Sequence, residues 1–145
     1  MAGIVVGVDG SGHSRKALER AAAEAGVHHA PLTVLDVHQA VRDVYGSPSH
    51  YQWDASETAK VKEAAQAETD EVIAALDAKP TSVTVTSVHG LPADELIKAS
   101  QDADMLVLGR RGAGGFARLL MGSVSDQVAR YAHCPVLLIP SPSGD

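Results

Sequence analysis

The segment Gly3-Ile4-Val5-Val6-Gly7-Val8-Asp9 is a short β-branched run that ends in an acid and breaks into Gly10-Ser11-Gly12. Near-continuous apolarity over so few residues marks a strand buried on both faces, and the glycines after it mark a tight turn. Ser11 or Ser14 can cap the helix that follows. In that helix Ala17, Leu18, Ala21 and Ala25 form one stripe at helical spacing, and Gly26 is expected to close it.

The same alternation continues down the chain. Leu32–Val37 (LTVLDV) reads as a second strand. Residues 38–54 carry Gly46, Pro48 and three of the five aromatics without any sustained period, and read as a long loop. From Ala55 to Ala78 the pattern is helical, with Val61, Ala65, Val72 and Leu76 on one face, and Pro80 stops it. Thr81–Val88 alternates with period two and is a third strand. Pro92 sits just inside a short helix with Leu96 and Ile97 inward. Met105–Leu108 is a fourth buried strand. Ser123 is expected to cap a helix with Val124, Val128 and Tyr131 on its inner face. Pro135–Ile139 is the last strand, and residues 141–145 should fray. Apolar strands alternating with helical crossovers predict an α/β fold. It is a single domain over residues 1–145, a doubly wound five-stranded parallel sheet of order 3-2-1-4-5 with helices on both faces.

Composition agrees and excludes much else. The chain has 145 residues with 12 Lys+Arg against 18 Asp+Glu, a net charge of −6 that argues against nucleic-acid and anionic-membrane partners. Apolar residues make up 45%, ordinary for a globular fold. One cysteine, Cys134, rules out a disulfide framework or a multi-thiolate zinc site, and reads as a small core residue. No basic leader region and no apolar run of about 20 residues is present, so a cytoplasmic location is expected.

In such a sheet, ligands bind beyond the carboxyl ends of the strands, where the winding reverses. The segment from Gly109 to Ser123 holds five of the 13 glycines, and Met105 to Ser125 contains no acid while Arg110, Arg111 and Arg118 add three positive charges. Glycines let backbone amides approach phosphate oxygens, and Gly122-Ser123 leads into a helix N-terminus. The bland alternative is a surface loop with solvated arginines. A Walker-type loop, a dinucleotide fingerprint and a nucleophile elbow are all absent.

Gly109-x2-Gly112-x9-Gly122-Ser123 resembles the G-2x-G-9x-G-[S/T] motif of the ATP-binding branch of the universal stress protein (UspA-like) family. Ile4–Ser11, Val88–Pro92 and His133–Ile139 are similar to that family's first strand, the approach to its third helix and its last strand. The resemblance implies ATP as ligand, with Mg²⁺ bridging phosphates. It places Asp9 and Val37 at the adenosine end. Leu108, Gly109 and Gly112 would lie along ribose and phosphates, and Gly122, Ser123 and Val124 at the phosphate tail. Chemistry is consistent with this: the Asp9 carboxylate can accept from a ribose hydroxyl or hold a metal-bound water, and the start of a helix suits phosphate. Asp9 and Ser123 also have plain readings, as a turn residue and a helix cap.

No catalytic residue and no direct protein ligand for a metal is assigned, so at most slow ATP hydrolysis is expected. The family's other branch offers the rival reading, a nucleotide-independent interaction module. An adenylating or ATP-pyrophosphatase enzyme is a third, but its Ser-Gly-Gly-x-Asp-Ser loop is absent after the first strand. His28-His29 sits at the end of the first helix, where cations suit the dipole, and is read without a cysteine or carboxylate partner at metal-ligand spacing. The apolar Pro135–Ile139 edge invites pairing with a second copy, and a homodimer is expected.

Overall fold

The computed structural model describes residues 3–38, 55–111 and 122–140; of the expected loop over 38–54, His38 belongs to the second strand and 39–54 lie outside the described residues, as does the tail 141–145. The order of elements is β1 (Ile4–Val8), α1 (Gly12–Val27), β2 (Leu32–His38), α2 (Ala55–Ala74), β3 (Val83–His89), α3 (Pro92–Ser100), β4 (Met105–Gly109), α4 (Ser123–Tyr131) and β5 (Val136–Ile139). The five strands form one sheet of order β3-β2-β1-β4-β5, and every pairing is parallel. This is the expected topology. The winding reverses between β1 and β4.

The two-residue period of each strand divides the core into two layers. Ile4, Val6, Leu32, Val34, Val85 and Val107 face α1 and α2. Val5, Leu35, Leu106 and Leu108 face α3 and α4, where Leu96 and Val128 meet them. Each fully buried Leu or Val contributes about 1.5–3 kcal/mol. In α1 the stripe Ala17, Leu18, Ala21 and Ala25 is completely buried, and these small side chains let the helix lie close on the sheet. Ser11 is its N-cap, accepting from the Ser14 amide at 3.2 Å. No helix among the described residues is long and apolar enough to cross a membrane.

Helix ends depart from expectation. Gly26 lies inside α1, whose C-cap is His28, and the left-handed residue is His29 at φ 51. Gly26 serves a different need: a Cβ there would run into the Ala78 carbonyl, so α1 and the segment after α2 pass backbone to backbone. The second helix ends at Ala74 rather than Ala78, and Lys79 donates through Nζ to the carbonyls of Ile73 at 2.9 Å and Leu76 at 2.8 Å. A cation on terminal carbonyls stabilises the helix end there. Tyr131 is 65% exposed, not inward. The inward line of α4 runs Val124, Val128 and on to Ala132 at steps of four, leaving Tyr131 about 100° aside.

Gly26→Ala is expected to lower stability by about 2–3 kcal/mol, because the obstacle is a backbone carbonyl that cannot rotate away. Gly12→Ala, with open space around its Cβ position, is expected to raise stability by about 0.5 kcal/mol. Urea unfolding of the two variants checks both signs, and a neutral Gly26→Ala would refute the close approach.

Candidate functional site

Two neighbouring features form at the carboxyl ends of the strands. The first is built on the turn after β1. Gly10 has φ +82 with nothing near its Cβ position, so the turn needs glycine for its conformation and not for room. The Ser11 amide donates to Asp9 Oδ1 at 2.9 Å, and the Asp9 amide donates to Ser14 Oγ at 3.2 Å. Ser14 Oγ in turn donates to the Ser11 carbonyl at 3.1 Å. Asp9 is therefore a turn residue, and it is exposed. It also lines a cleft of about 610 Å³, together with Gly10, with Asp36 and Val37 from the end of β2, and with Lys60, Val61 and Glu68 from α2. That volume lies in the usual range for small-molecule sites.

The second feature is the end of β4. The Leu108 side chain is buried in the α3/α4 layer, so only its backbone is available to a ligand. A Cβ on Gly109 would sit 3.0 Å from the carbonyl oxygens of both His13 and Arg111, so this glycine lets β4 abut the first turn of α1. The Arg110 amide donates to the Ile139 carbonyl at 2.8 Å. The Arg110 carbonyl accepts from the Gly122 amide at 2.8 Å and from Ser125 Oγ at 2.7 Å, and Ser125 Oγ also lies 3.1 Å from the Gly109 carbonyl. These bonds seat the N-terminus of α4 beside β4.

The structure thus brings Asp9 and Val37 together at the cleft, and Leu108, Gly109, Gly122, Ser123 and Val124 at the β4–α4 junction. Gly112 lies outside the described residues. One expectation changes. The N-cap of α4 is Gly122 and Ser123 is its first helical residue, exposed, while Val124 packs partly against the core. Gly122 has φ −73 and ψ 162, extended backbone open to any residue, and its amide is already given to Arg110. Glycine is not demanded there by a left-handed turn. The first-turn amides of Ser123, Val124 and Ser125 are the ones without an intrahelical acceptor.

Sequence reading missed Asp36, Lys60 and Glu68 at the cleft. Asp36 is buried at 7% exposure, and an acid inside the apolar run LTVLDV was the available signal. Glu68 has its pKa raised, chiefly by burial. Nearby Arg15 opposes the shift, and the carboxylates of Glu71, Asp9 and Glu19 add to it.

The universal stress protein family model matches residues 2–140. The chain belongs to the universal stress protein family. A curated universal stress protein of Mycobacterium tuberculosis is 37% identical over 144 residues, covering 96% of this chain and 48% of the relative. One from Thermus aquaticus is 32% identical over 138 residues, covering 94% of this chain and 96% of the relative. The chain therefore spans about half the length of the mycobacterial relatives it matches. Among solved structures, UspA from Lactobacillus plantarum has the same fold, with TM-score 0.76 at 23% identity over 95% of this chain and 97% of that one. A universal stress protein solved in complex with cAMP has TM-score 0.67 at 27% identity, covering 94% of each chain.

In this universal stress protein Glu68 binds its proton more tightly when folded than when unfolded. Between the usual carboxylate value and the raised one the folded state holds more proton, so stability falls as pH rises through that window. Glu68→Gln is expected to be more stable than wild type at about pH 7, with the advantage shrinking towards about pH 4. Urea unfolding at both pH values checks it, and an advantage that grows on acidification would be the contrary result.

Proposed function

We propose that this universal stress protein binds ATP together with Mg²⁺ at the carboxyl edge of its sheet, and acts in stress response or signalling through occupancy of that site. The observation that carries the reading is the turn Asp9–His13, which joins the two features: Asp9 lines the cleft, and the His13 backbone abuts Gly109 at the β4–α4 junction. One ligand with an apolar, hydrogen-bonding head and an anionic tail matches that pairing. The relative in complex with cAMP supports the purine nucleotide class.

Residue roles follow from position. Val37 offers backbone groups to an adenine edge, and Asp9 accepts from ribose hydroxyls. Gly109 gives backbone access, and the first-turn amides of Ser123 and Val124 face phosphate oxygens, with the Ser123 hydroxyl beside them. Gly122 acts by holding α4 in place. Mg²⁺ in nucleotide sites keeps several waters beside its phosphate oxygens, so Asp9, the carboxylate on the turn that joins the two features, would hold it through a bound water. When bound, the ion neutralises phosphate charge. Leu108 and Gly112 would contribute backbone contacts, and the proposal is of a cytoplasmic homodimer.

Asp9→Asn keeps an acceptor for the Ser11 amide, so it tests the carboxylate and not the turn. It is expected to weaken ATP about tenfold by isothermal titration, with inorganic triphosphate little changed. Mass spectrometry of ligand released from freshly purified protein should find an adenine nucleotide. Undiminished ATP affinity in Asp9→Asn would remove the residue from the site.

For the dimer, β5 pairs with β4 and has no strand on its other side among the described residues. Its residues Val136–Ile139 are all half-buried within one copy. Sedimentation velocity at micromolar concentration is expected to give the mass of two chains, and a single monomer boundary would refute edge pairing.

A further inference from the structure

Two guanidinium groups follow directly after β4, and among the described residues the Nε of neither has a hydrogen-bond partner. Arg111 is buried, at 8% exposure, and its Nε is inaccessible with no hydrogen-bond partner among the described residues. Arg110 is half-buried, and its Nε is in the same condition. A guanidinium stays protonated at any working pH, and a buried cation without a counter-charge opposes folding.

The acids nearest in sequence are committed elsewhere. Asp104 Oδ2 accepts from the Gly3 amide at 2.9 Å, and the Asp126 carboxylate pairs with Arg130 Nε at 3.2 Å. Between Met105 and Ser125 the sequence contains no Asp or Glu. The Arg110 backbone is fixed on both sides, by Ile139 and by Gly122 with Ser125, and Arg111 follows it directly. The pair therefore leaves β4 beside the N-terminus of α4, whose first-turn amides also seek an acceptor.

We propose that Arg110 and Arg111 are the counter-charge for a multiply charged phosphate chain, and that they make the site prefer nucleoside triphosphates over monophosphates and cyclic monophosphates. This rests on the nucleotide reading above and adds the basis of its selectivity. Two adjacent guanidinium forks match several phosphoryl oxygens at once, and their attraction grows with each charge on the chain. A cyclic monophosphate carries one charge and satisfies at most one fork. A triphosphate satisfies both.

The experiment titrates wild type, Arg110→Gln, Arg111→Gln and Arg111→Lys with ATP, AMP and inorganic triphosphate by isothermal calorimetry, with circular dichroism to confirm folding. Each Gln variant is expected to lose roughly tenfold or more in ATP affinity while AMP changes less than about threefold, so the ATP-to-AMP preference collapses. Arg111→Lys should recover part of the preference, since it keeps the charge and loses the fork. The thermal midpoint of ligand-free Arg111→Gln should equal or exceed that of wild type, which a merely structural arginine would not allow. Should Arg111→Gln fail to fold, the proposal is overturned for Arg111, and Arg110→Gln decides the remainder. Unchanged ATP-to-AMP preference in both Gln variants overturns the arginine pair and leaves ATP binding standing. Wild type that binds inorganic triphosphate but not ATP, with loss in the Gln variants, upholds the pair and removes the nucleotide reading. Wild type that binds neither overturns both.

Discussion

The Arg110 carbonyl accepts the Gly122 amide at 2.8 Å and the Ser125 hydroxyl at 2.7 Å, while the Arg110 amide reaches the Ile139 carbonyl at 2.8 Å. Each such bond contributes only about 0.5–1.5 kcal/mol, but together they fix where α4 begins relative to β4 and β5. Whatever path the chain takes between Arg111 and Gly122, it must leave and return at this joint. The amides of the first turn of α4, the backbone of Gly109 and the backbone of Arg110 are all positioned by it. Gly109 contributes from the other side, since only a residue without Cβ lets the joint sit against the His13 carbonyl. The candidate phosphate end is thus an outcome of strand pairing and helix seating.

This explains which parts of the fold were legible. Strands buried on both faces cannot hide in the sequence, because every residue of IVVGV and MLVLG must be apolar or very small. Strand order then follows from the alternation with helices and from short crossovers. Helix ends are less visible because neighbours determine them. Gly26 reads as a terminator until the Ala78 carbonyl is seen against it, and Tyr131 reads as inward until Ala132 takes that place. In both cases local spacing is satisfied by two arrangements, and packing selects one.

The site divides in the same way. Asp9 and Val37 were implied by the family resemblance, and both stand at the carboxyl edge where parallel sheets bind ligands. Lys60 and Glu68 could not be found, since on an amphipathic pattern they look like the solvated face of α2, and only the approach of that helix to the ends of β1 and β2 turns them to the cleft. Gly122 was legible as a position, but spacing is silent on its φ, and its backbone is extended. Arg111 is the sharpest instance, because a charged residue in a glycine-rich stretch reads as solvated and is in fact buried.

The charges at the two ends oppose each other. The cleft carries the carboxylates of Asp9, Asp36 and Glu68 against the single ammonium of Lys60, whereas the end of β4 carries Arg110 and Arg111 in a stretch without acids. Burial raises the pKa of Glu68 and the Asp9 carboxylate adds to the shift, so these two charges repel each other. Phosphate oxygens entering the cleft would meet that repulsion, while at the β4–α4 junction they meet guanidinium groups and helix amides. A nucleoside head is uncharged and indifferent to the carboxylates except as hydrogen-bond acceptors. For the nucleotide proposed above, the electrostatics would favour one direction, base and sugar towards β2 and phosphates towards α4, before any specific contact forms.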